Sequence, residues 1–138
     1  MAHKTTLLLA RLLFIAYMFG VGYVCFAHIG PDSIPHFTLF GIRSDKYVHF
    51  LLFVPFAILL YFSSGSHSKR WQESLKITVG LVLLGAVVAA ATEYVQGLLP
   101  YRSRDIHDLY ADCLGVIAGA VPVLLTDLKA HRRKKSRK

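Results

Sequence analysis

Apolar residues fill most of this chain in four long windows, which short polar stretches separate. The windows cover residues 7–27, 46–63, 77–99 and 109–127. A helix needs roughly 20 apolar residues to cross the hydrocarbon core of a bilayer, so each window is close to the length of a membrane span. The breaks between windows carry Pro, Gly and Ser, which favour turns and loops. The pattern predicts an all-α polytopic membrane protein, folded as a four-helix transmembrane bundle.

Composition supports this interpretation. The chain has 138 residues, of which 54% are hydrophobic and 17% charged, and this excludes a disordered chain and disfavours a water-soluble domain. Four spans and their loops use the whole chain, so we expect one integral membrane domain over residues 1–138. The first window begins with basic residues, as a signal peptide does. Its apolar run is longer than a typical signal core, however, and we expect it to stay as a span.

Charge predicts the orientation. The chain carries a net charge of +8, and Lys and Arg in short loops stay on the cytoplasmic side of a membrane. Only Arg43, Lys46, Arg102 and Arg104 fall on the other side of the predicted topology. We therefore expect both termini in the cytoplasm of a bacterial inner membrane. The basic tail, residues 128–138, is expected to bind anionic lipid headgroups through residues 129–138, at about 1 kcal/mol per basic residue, with no nucleic-acid partner.

Charged side chains inside apolar sequence are the strongest sign of function. Burying a carboxylate in a membrane costs a few kcal/mol, so retained carboxylates are usually paired or line a site. Helical spacing places a first group of residues on one face of the third span, and a second group on one face of the fourth. The first is Gly85, Ala89, Glu93 and Gln96, and the second is Asp108, Asp112, Gly115 and Gly119. We expect the two faces to pack against each other, because small residues allow helices to approach closely.

Topology then gathers the polar residues near the outward-facing surface of the membrane. Glu93, His49 and Asp108 are the candidate acid and base groups, with Glu93 ranked first. His49 is expected to pair with Asp45, one helical turn earlier. The candidate ligand-binding residues are Arg102, Gln96, Asp45, Asp105 and Asp112.

Structural roles compete with these assignments. Glu93 is expected to be neutral and hydrogen bonded if it is only structural. Asp105 suits the N-cap of the fourth helix, with Asp108 three residues on completing a variant capping box. Arg102 and Arg104 either form ion pairs or bind a phosphate.

Metal and redox chemistry have weaker support in the sequence. No cofactor is evident, and no zinc-type spacing occurs. A divalent cation held by the carboxylates, with His49 or His107, remains possible chemistry. Cys25 and Cys113 are expected to be small buried hydrophobic residues, although both lie near the outward ends of their helices, where a disulfide is conceivable.

Two blocks of sequence carry a resemblance to a known family. The first block is D-K-Y-V-H-F, residues 45–50. The second is E-Y-V-Q, P-Y-R, D-I-H-D and G-V-I-A-G, in that order within residues 93–119. With this order and spacing, the chain resembles the VanZ-like membrane protein family, whose first member is associated with teicoplanin resistance. The family pattern usually has Asn where this chain has Asp112.

The leading functional hypothesis is an outward-facing polar site that binds or processes an anionic cell-envelope lipid or a lipid-linked glycan. In this hypothesis, Arg102 holds the phosphate. As an alternative, the resemblance implies a non-catalytic membrane protein that modulates susceptibility to glycopeptides. A proton or ion pathway ranks last, because few polar residues continue toward the cytoplasmic side.

Overall fold

The computed structural model describes residues 2–27, 38–39, 41–65, 70–102 and 104–135, with side chains from residue 4 to residue 130 of these ranges. It contains four helices: α1 (Ala2–Phe26), α2 (Ser44–Ser64), α3 (Trp71–Gln96) and α4 (Ile106–Lys135). All four are long and apolar enough to cross a membrane. The predicted four-helix membrane bundle is therefore confirmed, whereas the orientation of its termini stays a prediction.

The boundaries of the helices differ by a few residues from those of the apolar windows. Each helix begins before its window, because flanking residues such as Trp71 or Ser44 also take helical conformation. The third helix ends at Gln96, three residues before the end of its window, and turns follow from Gly97. Two short strands, β1 (Thr38–Leu39) and β2 (Ile42–Arg43), form an antiparallel pair before α2.

Alternation of the helices places four helix ends together. We call this the polar end: it comprises the last turns of α1 and α3 and the first turns of α2 and α4. The middle of the bundle is apolar, with Phe53, Phe56 and Ala57 of α2 fully buried. Val116 and Ala120 of α4 complete this core. The apolar core therefore fixes the helices, and the polar end lies at one edge of it.

Packing of α4 corrects one expectation. A Cβ at Gly85 of α3 would lie 2.5 Å from Val116 Cγ1, so the small-residue face of α3 does meet α4. A Cβ at Gly115 or Gly119, however, would collide with the carbonyl oxygens of Phe50 and Val54 in α2. The glycine face of α4 thus packs against α2, and the prediction that it faces α3 is wrong. Periodicity identifies a buried face but does not say which neighbouring helix covers it.

Candidate functional site

Lys46 occupies the centre of the polar end. Its Nζ donates to Asp105 Oδ2 at 2.6 Å and to Asp108 Oδ1 at 2.5 Å, and it lies 3.4 Å from Asp45 Oδ2. The Lys46 side chain is only 15% exposed. It therefore ties the first turn of α2 to the first turn of α4. The sequence analysis counted Lys46 only as a basic loop residue, although its place in the D-K-Y-V-H-F block is a signal that it shares the site.

Asp105 caps the start of α4. Its Oδ1 accepts a hydrogen bond from the backbone N–H of His107 at 2.9 Å, which satisfies one of the unpaired donors at the helix N-terminus. The predicted N-cap is thus confirmed. Lys46, followed by the His107 N–H, holds the pKa of the Asp105 carboxyl well below its usual range, since both contacts favour the ionised form.

The second half of the predicted capping box does not form. In a capping box, the side chain of Asp108 would bind the backbone N–H of Asp105. That N–H instead donates to Glu93 Oε1 at 2.6 Å, from the last turn of α3. Asp108 is unavailable because it accepts from Lys46. The reciprocal cap is therefore supplied by a different helix, and it fixes the end of α3 to the start of α4.

His49 pairs across helices. Its Nδ1 lies 3.0 Å from Asp112 Oδ1, and its Nε2 lies 3.8 Å from Asp108 Oδ2. The predicted pair with Asp45 is wrong, because Asp45 contacts Arg43 at 3.2 Å and Lys46, toward the helix end. Asp112 is 1% exposed, so its carboxylate can hold the histidine in one orientation. With Asp112 ionised, Nδ1–H donates to it and Nε2 is left as a base.

Glu93 is the most unusual of the site residues. It is 3% exposed, and its Oε1 accepts the Asp105 N–H. Its second oxygen, Oε2, is buried and has no hydrogen-bond partner among the described residues. A buried acceptor without a donor costs about 1–3 kcal/mol, so an observed case calls for an explanation such as a proton or a ligand.

A cavity of about 380 Å³ opens beside Glu93. One acid and one base line it, Glu93 and Arg104, together with the apolar side chains of Ala90, Ile106 and Leu109. It lies between the last turns of α3 and the first turn of α4. The combination of charged groups and an apolar wall at the end of a membrane helix fits an amphiphile.

Of the two arginines near the turn, Arg102 is engaged with α1. Its Nη2 donates to Val24 O at 3.3 Å and to Ala27 O at 3.4 Å. Gln96 Nε2 donates to Cys25 O, and the Tyr101 hydroxyl donates to Phe26 O. These bonds satisfy consecutive carbonyls at the end of α1, which lack partners inside the helix. Arg102 and Gln96 thus hold α1 in place, and their predicted ligand-binding roles stay predictions.

The acids of the polar end have few oxygens left for a metal ion. In the described part of the chain, no group of three or more His, Cys, Asp and Glu side chains is arranged to hold one. Lys46 already neutralises Asp105 and Asp108, so a divalent cation would have to compete with its ammonium group. The two cysteines are free thiols. The cation hypothesis of the sequence analysis therefore stays a prediction.

The arrangement brings together groups able to move protons. Of the residues predicted from sequence, Asp105, Asp108, Asp112, His49 and Glu93 form one connected cluster with Lys46. Asp112 and His49 form a dyad in which a carboxylate orients an imidazole. Glu93 lines the cavity and has one carboxylate oxygen without a partner among the described residues. The site therefore has the parts of a general acid and base beside a cavity with an apolar wall.

Comparison with known proteins places the chain in a family. Searches of curated proteins and of solved structures found no match. The family model of VanZ/LLP1 matches residues 6–126. That range includes α1 from residue 6, all of α2 and α3, α4 as far as residue 126, and every residue of the cluster around Lys46. The resemblance found in the two sequence blocks is thereby confirmed, and the chain belongs to the VanZ/LLP1 family.

Proposed function

We propose that this protein binds or processes an anionic cell-envelope lipid or a lipid-linked glycan at the cavity beside Glu93. In this proposal the lipid chain lies against Ala90, Ile106 and Leu109, and a phosphate of the head lies against Arg104. The observation that carries the proposal is Glu93 Oε2, a buried oxygen with no partner among the described residues, in a side chain that lines the cavity. A donor on the lipid head would satisfy that oxygen.

Arg104 takes over the role that the sequence analysis gave to Arg102. Arg104 is exposed and lines the cavity, whereas the Arg102 guanidinium donates to carbonyls of α1. A guanidinium presents its N–H groups in a planar fork that matches two oxygens of a phosphate. The position of Arg104 at a helix end suits a headgroup, which lies at the boundary of the bilayer rather than in its centre.

Glu93 interacts electrostatically with His49, Asp108 and Asp112. In the proposed chemistry, Glu93 exchanges a proton with the lipid head, and His49 and Asp108 accept or return that proton. Hydrolysis or transfer of a group on the head is the reaction class that such a relay serves.

A pathway for protons or ions across the membrane has less support. Polar contacts recur at the opposite end of the bundle, where the Tyr61 hydroxyl donates to Asp127 at 2.6 Å. Between the two ends lie the buried apolar side chains of Phe53, Phe56 and Val116. A proton path requires polar groups or water along its length, and these three side chains are apolar.

The test is turnover of envelope lipids by the purified protein in detergent, followed by mass spectrometry of the lipids. We expect Glu93→Gln and His49→Ala each to lower turnover by about a hundredfold or more, as general acid and base groups contribute. The matched control is Glu73→Gln, since Glu73 is an exposed carboxylate in the first turn of α3 at the opposite end.

Two outcomes separate the proposal from its alternatives. If the wild-type protein retains a lipid but transforms none, the function is binding alone, which is the form that a modulator of glycopeptide susceptibility would take. Equal turnover by wild type, Glu93→Gln and His49→Ala would reject the acid and base roles.

A further inference from the structure

We infer that the cavity beside Glu93 selects a lipid whose head carries both a phosphate and a primary ammonium group. The phosphate lies on Arg104, and the ammonium donates to Glu93 Oε2. This inference rests on the proposed function: it keeps the phosphate on Arg104 and replaces a purely anionic head with a zwitterionic one. An aminoalkyl phospholipid and a polyprenyl phosphate bearing an amino sugar both offer this chemistry.

Opposite charges on one wall favour a head with two charges. Arg104 and Glu93 both line the cavity, and the remaining lining residues are apolar. A phosphate alone would satisfy Arg104 but would bring a negative charge toward the Glu93 carboxylate. Like charges at close range in a weakly polar setting repel strongly, so the acid selects against a purely anionic head.

The balance of acids and bases in the cluster around Lys46 also favours a cationic group on the ligand. Acids outnumber bases in the cluster around Lys46, even when Asp45 and its partner Arg43 are counted with it: the acids are Asp45, Asp105, Asp108, Asp112 and Glu93, and the bases are Arg43, Lys46 and His49. Lys46 is already bound to Asp105 and Asp108, and His49 to Asp112. Glu93 is therefore the acid of the cluster whose second oxygen has no cationic or hydrogen-bonding partner in the described residues. A cation on the ligand completes the pairing.

Hydrogen bonding also separates an ammonium from a hydroxyl. Glu93 Oε1 already accepts the backbone N–H of Asp105 at 2.6 Å, which fixes the direction of the carboxylate. Oε2 is left without a donor among the described residues. An ammonium brings the carboxylate both a donor and a positive charge, whereas a hydroxyl brings a donor alone. A quaternary ammonium carries the charge without an N–H donor and is expected to bind less well.

The experiment compares lipids that differ only in the head. The purified full-length protein in detergent is mixed with dioleoyl phospholipids bearing ethanolamine, choline or glycerol heads, and the bound lipid is counted by native mass spectrometry. A polyprenyl phosphate with an amino sugar and its N-acetylated form make a second pair, which distinguishes the two sources. We expect about tenfold more retention of the ethanolamine lipid than of the choline lipid, or of the free amino sugar than of its N-acetylated form.

Variants assign the preference to residues. Glu93→Gln keeps the size of the side chain, and it is expected to reduce the preference for a primary ammonium to within about twofold, while phosphate-dependent binding remains. Arg104→Ala is expected to lower binding of all these lipids about tenfold. Lys76→Ala, an exposed basic residue of α3 at the opposite end, is the control.

The outcomes keep this inference apart from the proposed function. Equal or tighter binding of the glycerol lipid, lost in Arg104→Ala, would overturn the ammonium inference and leave the proposed function standing. A preference for the primary ammonium that persists in Glu93→Gln would also overturn it. No lipid binding that depends on Arg104 would overturn both. The comparison of heads on the wild-type protein needs no variant, so a failure of Glu93→Gln to fold does not remove the test.

Discussion

Replacing Lys46 with methionine is expected to destabilise the protein by about 3 kcal/mol or more, because it leaves the buried Asp108 and the partly buried Asp105 without their cation. Lys46 Nζ is bonded to both Asp105 and Asp108, and its side chain is 15% exposed. Methionine keeps a similar volume, so the loss reports the charge rather than the packing. The measurement is unfolding of the purified protein in detergent. Lys76→Met, which removes an exposed lysine, is the control and is expected to stay within about 0.5 kcal/mol of wild type.

A second substitution shows that the loss comes from the unpaired acids. Asp108→Asn in the Lys46→Met background removes one of the two carboxylates that have lost their cation, so it is expected to recover part of the lost stability. The same Asp108→Asn change in wild type is expected to destabilise, since it breaks one of the bonds to Lys46. If Lys46→Met and Lys76→Met have the same free energy of unfolding, the bonds of Lys46 do not join α2 to α4.

The glycine face of α4 gives the second large effect. Gly115→Ala and Gly119→Ala would each place a Cβ against backbone carbonyls of α2, at Phe50 and Val54. Backbone cannot move aside as a side chain can, so the two helices must separate. We expect each substitution to cost about 1–3 kcal/mol, as overpacking of a close-packed interior does. Thermal unfolding in one detergent measures the loss.

Gly80→Ala is the matched control for these substitutions. Gly80 lies in the middle of a transmembrane helix, as Gly115 and Gly119 do, but a Cβ there would meet nothing within 4 Å. Alanine favours helix over glycine by about 0.5–1 kcal/mol, so Gly80→Ala is expected to be neutral or stabilising. If Gly115→Ala and Gly80→Ala unfold at the same midpoint temperature, α2 and α4 do not pack as closely as the contact between Gly115 and the Phe50 carbonyl requires.

The sequence predicted the parts of this fold that local pattern controls. Apolar windows gave the four helices, because a helix in a membrane must satisfy its own backbone and present apolar side chains outward. Asp105 predicted the start of the fourth helix, because its short side chain suits an N-cap. Helical spacing correctly placed Glu93 and Gln96 on a buried face of α3.

The rest depends on which helices meet. The α4 face containing Gly115 packs on α2 rather than on its sequence neighbour α3, and nothing in the spacing of α4 distinguishes the two. His49 binds Asp112 on α4 for the same reason, although Asp45 lies one turn away on its own helix. Lys46 was missed because a lysine at the end of a span looks the same in sequence whether it faces water or a pair of acids.

The two arginines near the turn have different surroundings that the sequence does not distinguish. Arg102 and Arg104 are two residues apart in one turn and have the same chemistry in sequence. The turn aims Arg102 at the end of α1 and leaves Arg104 at the cavity with Glu93. Our proposal therefore assigns the phosphate to Arg104, two residues after the Arg102 of the sequence-based hypothesis.

The proposed site requires acids and bases from distant parts of the chain to meet at one end of the bundle. The measurement is cross-linking of His49→Cys to Asp112→Cys by a short bifunctional thiol reagent, in a chain with Cys25 and Cys113 replaced by alanine. His49 Nδ1 and Asp112 Oδ1 are 3.0 Å apart, and the two side chains add to the distance between their Cβ atoms, so a reagent longer than a disulfide is expected to join positions 49 and 112. Positions 49 and 127 lie at opposite ends of the bundle and are expected to stay separate. Failure of 49 and 112 to join, in a chain that remains folded and whose two thiols react with a small reagent, would contradict this arrangement.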